Sequence, residues 1–362
     1  MAKEVKLMKG NEALAHAAIR AGFDAYFGYP ITPQSEVLET LTVEDPESTT
    51  GMVVLQAESE VAAINMVYGG GATGKKVMTS SSSPGISLMS EGLSYLAGAE
   101  IPCLIVNVSR GGPGLGTIQP SQADYFQMTK GGGHGDFRLI VLAPKSVQET
   151  VDFVDEGIEI AFKYRNPVMI LSDGIIGQMM EKVELPDFKP RRSNEEIREQ
   201  CPWATTGARD GKRHIVTSLE LDSAIMEKNN ERFQAKYAEI EKNEVRYEEV
   251  YTEDADYILV AFGSSARICQ KAAQLAREEG IKVGVVRPIT LWPFPYKVIS
   301  DLTERGVKGF LSVELNAGQM IEDIRLAVEG RTPVAHYGRM GGMLFSPDEV
   351  LEALKEKIIN RK

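Results

Sequence analysis

Cysteine is scarce in this sequence, and its few cysteines are far apart. The 362 residues include Cys103, Cys201 and Cys269, and no Cys-x-x-C pair occurs. An iron–sulfur cluster or a zinc knuckle therefore cannot be built from this chain alone. A disulfide framework is equally disfavoured, so the sequence indicates a reducing compartment, and we expect a cytoplasmic protein.

Positive charge and long apolar runs are also in short supply. Lys and Arg number 40 against 51 Asp and Glu, which gives a net charge of −11. This balance argues against nucleic acid, whose binding needs a basic patch, and against anionic membrane surfaces. No apolar run approaches the roughly 20 residues needed to cross a bilayer. Residues 1–15 have no apolar segment typical of a signal peptide, so we expect no contact with membranes.

The length and the alternation of predicted elements indicate two α/β domains. At roughly 100–200 residues per domain, the chain has room for two or three. Strands alternate with helices in residues 1–185 and again in 251–362, which predicts doubly wound, mostly parallel sheets. The composition changes near Leu185. Residues 186–250, which include a charged helix over 220–250, are predicted to form a connecting arm.

Hydrophobic periodicity and capping residues predict the individual elements. In the first domain we expect strands at 24–28, 52–55, 76–80, 102–108, 138–142 and 168–172, and helices at 11–20, 33–41, 58–68, 86–97 and 147–162. Thr32 is a good N-cap for the second of these helices, with Pro33 at its first position. In the second domain we expect strands at 257–265, 282–289 and 309–315, and helices at 266–279, 295–303 and 320–327.

Glu60 is the first candidate for a functional role. A helix that contains it places Glu60 on the same face as Ala63, Ile64 and Val67, whereas Glu58 points about 200° away. A carboxyl on an apolar face is unfavourable without a partner. An alternative interpretation is that Glu60 is only a first-turn acid, which the helix dipole favours.

The spacing around Glu60 resembles the pyrimidine-binding domain of thiamine diphosphate enzymes. In that domain an acid is followed by small apolar residues, a glycine nine positions on, a turn and a Ser-x-Pro-Gly-like loop. Here the glycine is Gly69, the turn is Ala-Thr-Gly-Lys at 72–75 and the loop is Ser-Pro-Gly at 83–85. The resemblance implies that Glu60 bonds and activates the cofactor, and it places Pro30 and Ser83 among the cofactor contacts.

The motif Tyr-Pro-Ile-Thr-Pro at 29–33 follows a predicted strand, where open α/β sheets place their ligands. The motif resembles a hallmark of the ferredoxin-dependent 2-oxoacid oxidoreductases. The resemblance implies that Thr32 contacts the substrate carboxylate, with Tyr29 as a further candidate. Alternatively, Thr32 serves only as the helix N-cap.

Arg110 and His134 are the remaining candidates in the first domain. Arg110 follows a predicted strand in Ser-Arg-Gly-Gly-Pro-Gly at 109–114, and a guanidinium can grip a carboxylate with two bonds. The same family has an arginine here against the 2-oxoacid; the alternative is a surface arginine before a flexible loop. The glycine run at 112–116 lacks the helix that a dinucleotide fingerprint requires. His134, flanked by glycines, reaches the site or is simply solvated.

The second domain resembles the transketolase C-terminal domain, which is usually architectural in such enzymes. Residues 261–264 and 286–295 carry the resemblance. The stretch Glu-Leu-Asn-Ala-Gly-Gln at 314–319 is similar to family members, but the sequence indicates no role for it.

A diphosphate- and metal-binding motif is missing. Such a motif starts with Gly-Asp-Gly and has an Asn some thirty residues later, whereas Ser precedes Asp173-Gly174 and Arg precedes Asp210-Gly211. The resemblance therefore implies no metal on this chain. Mg²⁺ and diphosphate would be held by a β-type subunit, and iron–sulfur clusters by ferredoxin-like subunits, in a dimer of hetero-oligomers that shares thiamine diphosphate.

These features lead to one hypothesis for the reaction. It is oxidative decarboxylation of a 2-oxoacid with coenzyme A to acyl-CoA, carbon dioxide and reduced ferredoxin. The loop at 116–125 resembles the branched-chain (3-methyl-2-oxobutanoate) type, and residues 218–222 depart from a His-containing version found in 2-oxoglutarate-type relatives. The alternatives are a 2-oxoglutarate- or pyruvate-specific member, a subunit of a lipoate-linked 2-oxoacid dehydrogenase, and a non-catalytic scaffold.

Overall fold

A computed structural model describes residues 4–208, 211 and 213–360. The first three residues and Asp210, which entered the sequence predictions, lie outside the described residues.

The larger sheet contains six parallel strands: β2 (Ala25–Gly28), β3 (Val53–Gln56), β4 (Val77–Ser81), β5 (Leu104–Ser109), β6 (Ile140–Leu142) and β7 (Val168–Asp173). A short strand from the second half of the chain, β12 (Thr290–Trp292), pairs antiparallel with β6 and gives the order β12-β6-β7-β5-β4-β2-β3.

Helices cover both faces of this sheet. They are α1 (Gly10–Arg20), α2 (Ser35–Glu44), α3 (Pro46–Thr49), α4 (Glu60–Ala72), α5 (Ser83–Leu88), α6 (Ser90–Gly98), α7 (Tyr125–Lys130), α8 (Val147–Tyr164) and α9 (Gly174–Gln178). A separate antiparallel pair joins β1 (Glu4–Lys9) to β8 (Met180–Leu185). The strands β4, β5 and β7 are buried along their whole length, as expected for a sheet covered on two sides.

The second sheet follows an arm that contains α10 (Asn194–Gln200) and α11 (Ser223–Asn243). Its strands are β9 (Tyr247–Val250), β10 (Tyr257–Val260), β11 (Val283–Pro288), β13 (Gly309–Glu314) and β14 (Val334–Gly338). They run in the order β14-β13-β10-β11-β9, and only β9 is antiparallel to its neighbour. The helices are α12 (Gly263–Glu278), α13 (Tyr296–Glu304), α14 (Met320–Val328) and α15 (Pro347–Leu354), followed by a π-helical turn (Lys355–Ile359).

The predicted fold class, α/β with two mostly parallel sheets, is confirmed. The domain limits at 185/186 and 250/251 stay a prediction, because two strands connect the regions that these limits separate. β9 falls in the predicted arm but pairs with β11 of the second sheet, and β12 falls in the predicted second domain but pairs with β6 of the first. No helix in the described part of the chain is long and apolar enough to span a membrane.

Two helix starts differ from the predictions. The prediction that Thr32 caps a helix starting at Pro33 is wrong, because residues 31–34 first form a turn, closed by Gln34 N donating to Ile31 O at 2.9 Å. The helix begins only at Ser35. The helix predicted from residue 58 begins at Glu60, because the Ser59 hydroxyl accepts from Ala62 N at 3.2 Å and caps it there.

Candidate functional site

The candidate residues converge at the carboxyl edge of the larger sheet. The segments that follow β2, β4 and β5 carry Thr32, Ser83 and Arg110, respectively. Arg110 links all three: its Nη1 donates to Thr32 O at 2.8 Å and its backbone N donates to Ser83 Oγ at 3.0 Å. Glu60, at the start of α4, borders the same edge through Gly85. The predicted grouping of these four residues is therefore what the fold produces.

Glu60 is buried and unpaired. Its side chain belongs to the buried face of α4 with Ala63, Ile64 and Val67, and only 6% of the residue is exposed. Among the described residues, none forms a hydrogen bond or an ion pair with its carboxylate. Glu58 is exposed, as predicted, but it precedes the helix, so helical spacing is not the reason. A carboxylate on a mostly buried residue is unfavourable for folding without a partner, so Glu60 is suited to a ligand that supplies one.

Gly85 gives the carboxylate its space. A Cβ on Gly85 would lie 2.6 Å from Glu60 Oε1 and 2.1 Å from Ser81 Oγ, closer than any side chain tolerates. The hydroxyls of Ser81 and Ser82, at the end of β4, are buried and have no hydrogen-bond partner in the described part of the chain. Each unsatisfied group costs roughly 1–3 kcal/mol of folding free energy. Unsatisfied donors and acceptors beside an unpaired carboxylate are typical of a binding site.

The Tyr-Pro-Ile-Thr-Pro motif lies in the loop after β2, at the outer surface of this edge. Thr32 and Pro30 are exposed, and Tyr29 is half-buried. The Thr32 hydroxyl has no hydrogen-bond partner among residues that the structure describes, so it is free to meet a ligand. The Gln34 side chain holds the loop from behind: its Nε2 donates to Tyr29 O at 3.1 Å, while its Oε1 accepts from Ser80 Oγ at 2.7 Å.

Arg110 is buried, with only 7% of the residue exposed. The alternative of a surface arginine is therefore wrong. Its Nη1 donates to Thr32 O and its Nη2 to Leu115 O, at 2.8 and 3.0 Å. Each of these nitrogens carries a second N–H, and Nε has no partner within the described chain. Arg110 lines a cavity of about 460 Å³ with Ser83, Pro84 and, from the second sheet's side, Leu315 and Met340.

His134 is not part of this arrangement. It is exposed, and its ring meets Tyr95 edge to face with 6.1 Å between ring centroids. It lines a separate cavity of about 160 Å³ with Phe137 and Met226, not the cavity beside Arg110. Its contribution to the site stays an untested prediction, and the geometry gives it no support.

Sequence reasoning missed two hydrogen-bonded networks of polar side chains at the site. In one, Ser80 Oγ lies 2.8 Å from Tyr26 OH and donates to Gln34; burial raises the pKa of Tyr26 to about 12. In the other, Asp124 accepts from Ser83 Oγ at 2.6 Å and from Asn107 Nδ2 at 2.8 Å. An asparagine inside the apolar strand Leu-Ile-Val-Asn-Val-Ser was a signal that pointed to the second of these networks.

The stretch Glu314–Gln319 acquires a structural role. Asn316 Nδ2 donates to Gln122 O at 2.8 Å, and Gln319 Nε2 donates to Ala123 O at 2.7 Å. The Gln122 side chain in turn accepts from Ser265 Oγ at 2.7 Å. This stretch therefore joins the second sheet to the loop that precedes α7 and forms one wall of the cavity beside Arg110.

Asp173 has hydrogen-bond partners that give it a structural role. Its carboxylate accepts from Ile175 N and Ser264 Oγ, at 2.8 and 2.6 Å, and burial raises its pKa. It caps α9 and contacts the second domain. In the described part of the chain, no three His, Cys, Asp or Glu side chains are grouped so that they could hold a metal ion.

Comparisons with known proteins agree on one family. Residues 16–253 match the family described as pyruvate flavodoxin/ferredoxin oxidoreductase, thiamine diphosphate-binding, and residues 255–350 match core domain II of pyruvate:ferredoxin oxidoreductase. The chain is 51% identical to the ketoisovalerate oxidoreductase subunit VorB of Methanothermobacter marburgensis, over 97% of each chain. It is 35% identical to the 2-oxoglutarate synthase subunit KorA of the same organism, over 97% of this chain and 98% of KorA.

Solved structures give the same result. The 2-oxoglutarate:ferredoxin oxidoreductase from Magnetococcus marinus, determined with 2-oxoglutarate, coenzyme A and succinyl-CoA bound, matches with a TM-score of 0.82 and 30% identity. The match covers 98% of this chain and 65% of the length of that one. A split-gene transketolase matches over 98% of this chain and 99% of its own at a TM-score of 0.61 and 14% identity, which shows likeness of fold alone.

Proposed function

Because the chain belongs to the pyruvate flavodoxin/ferredoxin oxidoreductase family, we propose that it is the subunit of a ferredoxin-dependent 2-oxoacid oxidoreductase that supplies the pyrimidine-binding half of a thiamine diphosphate site. The family resemblance drawn from residues 29–33 and 60–85 is confirmed by the match over 16–253. The observation that carries the proposal is that Glu60 is buried beside Gly85 and that its carboxylate has no partner among the described residues.

The residues at this edge fit thiamine diphosphate. An aminopyrimidine ring offers N–H donors and ring-nitrogen acceptors, which match the Glu60 carboxylate and the unpartnered Ser81 and Ser82 hydroxyls. Gly85 leaves room where any side chain would fill the space. When bound, thiamine diphosphate supplies the nucleophilic carbon and the electron sink for decarboxylation. Glu60 then holds a proton at its Oε atoms against the ring, with Pro30 and Ser83 in contact with the cofactor.

Arg110 and Thr32 are proposed to orient the substrate. Arg110 has N–H groups left over after its bonds to Thr32 O and Leu115 O, and it lines the cavity. A guanidinium binds a carboxylate with charge-assisted hydrogen bonds. The Thr32 hydroxyl is free at the same edge and adds a donor, and Tyr29 borders the loop. Together these groups place a 2-oxoacid with its carboxylate at Arg110.

The substrate is proposed to be a branched-chain 2-oxoacid such as 3-methyl-2-oxobutanoate. Arg110 is the only basic side chain among the described residues that line the cavity, and Asp124 also lies there. A second carboxylate, as in 2-oxoglutarate, would therefore find no cation to pair with. Leu315, Ala317 and Met340 offer an apolar wall for an aliphatic side chain. The 51% identity to a ketoisovalerate oxidoreductase subunit supports the same choice.

The chain is proposed to act in a cytoplasmic hetero-oligomer. The matched relatives are named as subunits. A β-type partner would hold the diphosphate and Mg²⁺, and ferredoxin-like subunits would carry iron–sulfur clusters that pass two electrons singly to ferredoxin. The complex would form a dimer of hetero-oligomers. The overall reaction consumes a 2-oxoacid, coenzyme A and two oxidised ferredoxins and yields acyl-CoA, carbon dioxide, two reduced ferredoxins and a proton.

One assay tests the proposal. The chain is co-expressed with its partner subunits, and viologen reduction is followed anaerobically with coenzyme A and thiamine diphosphate. Pyruvate, 2-oxoglutarate and 3-methyl-2-oxobutanoate are compared, and kcat/KM is expected to be highest for the last. A higher kcat/KM for either of the other two acids would overturn the proposed substrate assignment. Inactivity of a fully assembled, cluster-loaded complex on all three overturns the function, and reduction of NAD⁺ through a lipoyl carrier would indicate a dehydrogenase instead.

A further inference from the structure

Asp124 stands at the N-cap position of α7 but does not cap it. Asp is among the best N-cap residues, because its carboxylate accepts from the free amides of the first turn. Here Asp124 forms no side-chain cap bond. Its Oδ2 instead accepts from Ser83 Oγ at 2.6 Å and from Asn107 Nδ2 at 2.8 Å. The residue is buried, so the carboxylate is directed at the site, not at its own helix.

The second domain supplies the missing cap. Gln319 Oε1 accepts from Phe126 N at 2.7 Å, which is a first-turn amide of α7, and Gln319 Nε2 donates to Ala123 O at 2.7 Å. A free first-turn amide would otherwise compete for the Asp124 carboxylate. Gln319 therefore leaves Asp124 available to Ser83 and Asn107. This arrangement couples the domain contact to the carboxyl edge of the larger sheet.

Ser83 transmits the position of Asp124 to Arg110. A hydroxyl has one proton, and the short contact to Asp124 Oδ2 takes it. The lone pairs of Ser83 Oγ then face Arg110 N, which donates at 3.0 Å. The Arg110 backbone is thereby held at the loop that begins α5. Two residues further along, within α5, Gly85 packs against Glu60.

We propose that Asp124 is a positioning residue: through Ser83 it sets the place of the Arg110 guanidinium relative to Glu60, and so the binding of the 2-oxoacid carboxylate. The inference rests on the proposed function, because it assumes that Arg110 meets the substrate. Without Asp124 the Ser83 proton has Arg110 O, at 3.3 Å, as its nearest acceptor, and the hydrogen bond to Arg110 N weakens. Arg110 then samples positions away from the substrate.

The test compares variants in the assembled, cluster-loaded complex. Asp124→Ala should raise KM for the preferred 2-oxoacid about tenfold, the size of one lost hydrogen bond to a charged group. kcat should change much less. Asp124→Asn keeps an acceptor oxygen and should restore most of the affinity. Ser83→Ala should raise KM similarly, and the double variant should be no worse than either single one, because both break the same chain of contacts.

Asp323→Ala is the matched control. Asp323 is also buried and accepts from Tyr125 OH at 2.6 Å and Lys130 Nζ at 2.5 Å, so it contacts the neighbour of Asp124 but lies outside the Asp124 contacts. Its loss should lower Tm and leave KM unchanged. If Asp124→Ala behaves in this way, with a lower Tm and a wild-type KM, Asp124 is merely structural and the inference is overturned.

The outcomes separate this inference from the proposed function. If the wild-type complex is inactive on every 2-oxoacid, or if an Arg110 substitution leaves KM unchanged, the proposed function fails first. If wild type is active and the Arg110 substitution raises KM, but Asp124→Ala and Ser83→Ala do not, only the positioning role is lost. Strictly additive effects of Asp124→Ala and Ser83→Ala would also contradict a single chain of contacts.

Discussion

Glu60 and Glu314 are two buried glutamates at the carboxyl edges of the two sheets, and they differ in every contact. Glu314, fully buried at the end of β13, accepts from Ser312 Oγ at 2.7 Å and from the backbone N atoms of Gln319, Met320 and Ile321 at 2.8 to 3.1 Å. It thereby caps α14. Glu60 stands at the start of α4 and has no such partner among the described residues.

The difference separates a carboxylate that its own fold satisfies from one that we propose binds a ligand. Glu314 is stabilised by its own fold, since charge-assisted hydrogen bonds and the helix N-terminus offset its burial. Glu60 has no partner among the described residues, and neither has the Ser81 hydroxyl, which borders the same Gly85 position. Two parallel sheets of similar construction therefore use the same edge differently. We propose that the edge of the first sheet binds the ligand and that the second sheet supports it.

The largest effect is expected at Glu60. Glu60→Gln keeps the shape but removes the acid–base group that the site needs. We expect turnover by the assembled complex to fall by roughly 10²–10⁴-fold, the range for loss of an acid–base group. Tm and subunit composition should stay close to wild type, because the carboxylate has no internal partner to lose. Viologen reduction and calorimetry measure the two quantities, and full activity would contradict the assignment.

Glu58→Gln is the control for this prediction. Glu58 lies two residues before Glu60 and is exposed. Its loss should leave turnover within about twofold of wild type, since exposed charges contribute little. An equal loss of activity in both variants would show that the effect comes from local charge and not from the buried position.

The next largest effect is expected at Arg110. Arg110→Lys keeps the charge but cannot hold Thr32 O and Leu115 O and still present two donors to a carboxylate. We expect KM for the 2-oxoacid to rise about 10- to 100-fold, which corresponds to roughly 1.4–2.8 kcal/mol. Steady-state kinetics of the complex measure this. An unchanged KM would place the substrate carboxylate elsewhere.

Glu314→Gln should affect stability more than activity. Its amide would face backbone N–H donors that need an acceptor, and we expect a loss of about 2–4 kcal/mol in the free energy of unfolding. Thermal unfolding of the complex should show a lower Tm, while KM for the 2-oxoacid stays within about threefold of wild type. A variant with wild-type Tm and no activity would reverse the comparison between the two glutamates.

The smallest effect concerns pH and His336, which lies against Gly318 and Gly338 near Glu314. Burial lowers the pKa of His336, although Glu314 acts in the opposite direction. Its pKa is thus lower in the folded than in the unfolded state. The contribution of neutral His336 to the free energy of unfolding is therefore complete above about pH 6.5 and is lost as the pH falls through the folded pKa. The free energy of unfolding therefore changes with pH in this range. We expect His336→Gln to reduce the slope of that free energy against pH, by at most about 1.4 kcal/mol per pH unit.

Chemical denaturation between pH 5 and pH 8 measures this slope. The slope should be reduced but not removed, because burial also lowers the pKa of His16. An unchanged slope in His336→Gln would show that His336 does not titrate over this range.

Much of the fold followed from local pattern. The strands at 77–81, 104–109 and 168–173 were predicted within two residues, because buried parallel strands are short runs rich in apolar residues. The pairs β1–β8 and β12–β6 were missed, since a short strand acquires its identity only from a distant partner. The start of α2 was misplaced because the side chains of Asn11 and Gln178 hold Pro33 O in a preceding turn.

The sequence by itself determined the α/β class, the burial of Glu60 on one face of α4 and the family motifs at 29–33 and 83–85, because periodicity and spacing are local properties of a chain. Only the tertiary structure decided that Glu60 has no partner in the described part of the chain and that Arg110 is buried between Thr32 O and Leu115 O. It also separated His134 from the site and turned Asp124 away from its own helix toward Ser83. Each of these outcomes depends on atoms brought together from distant parts of the chain, and local pattern does not specify which distant atoms become hydrogen-bond partners.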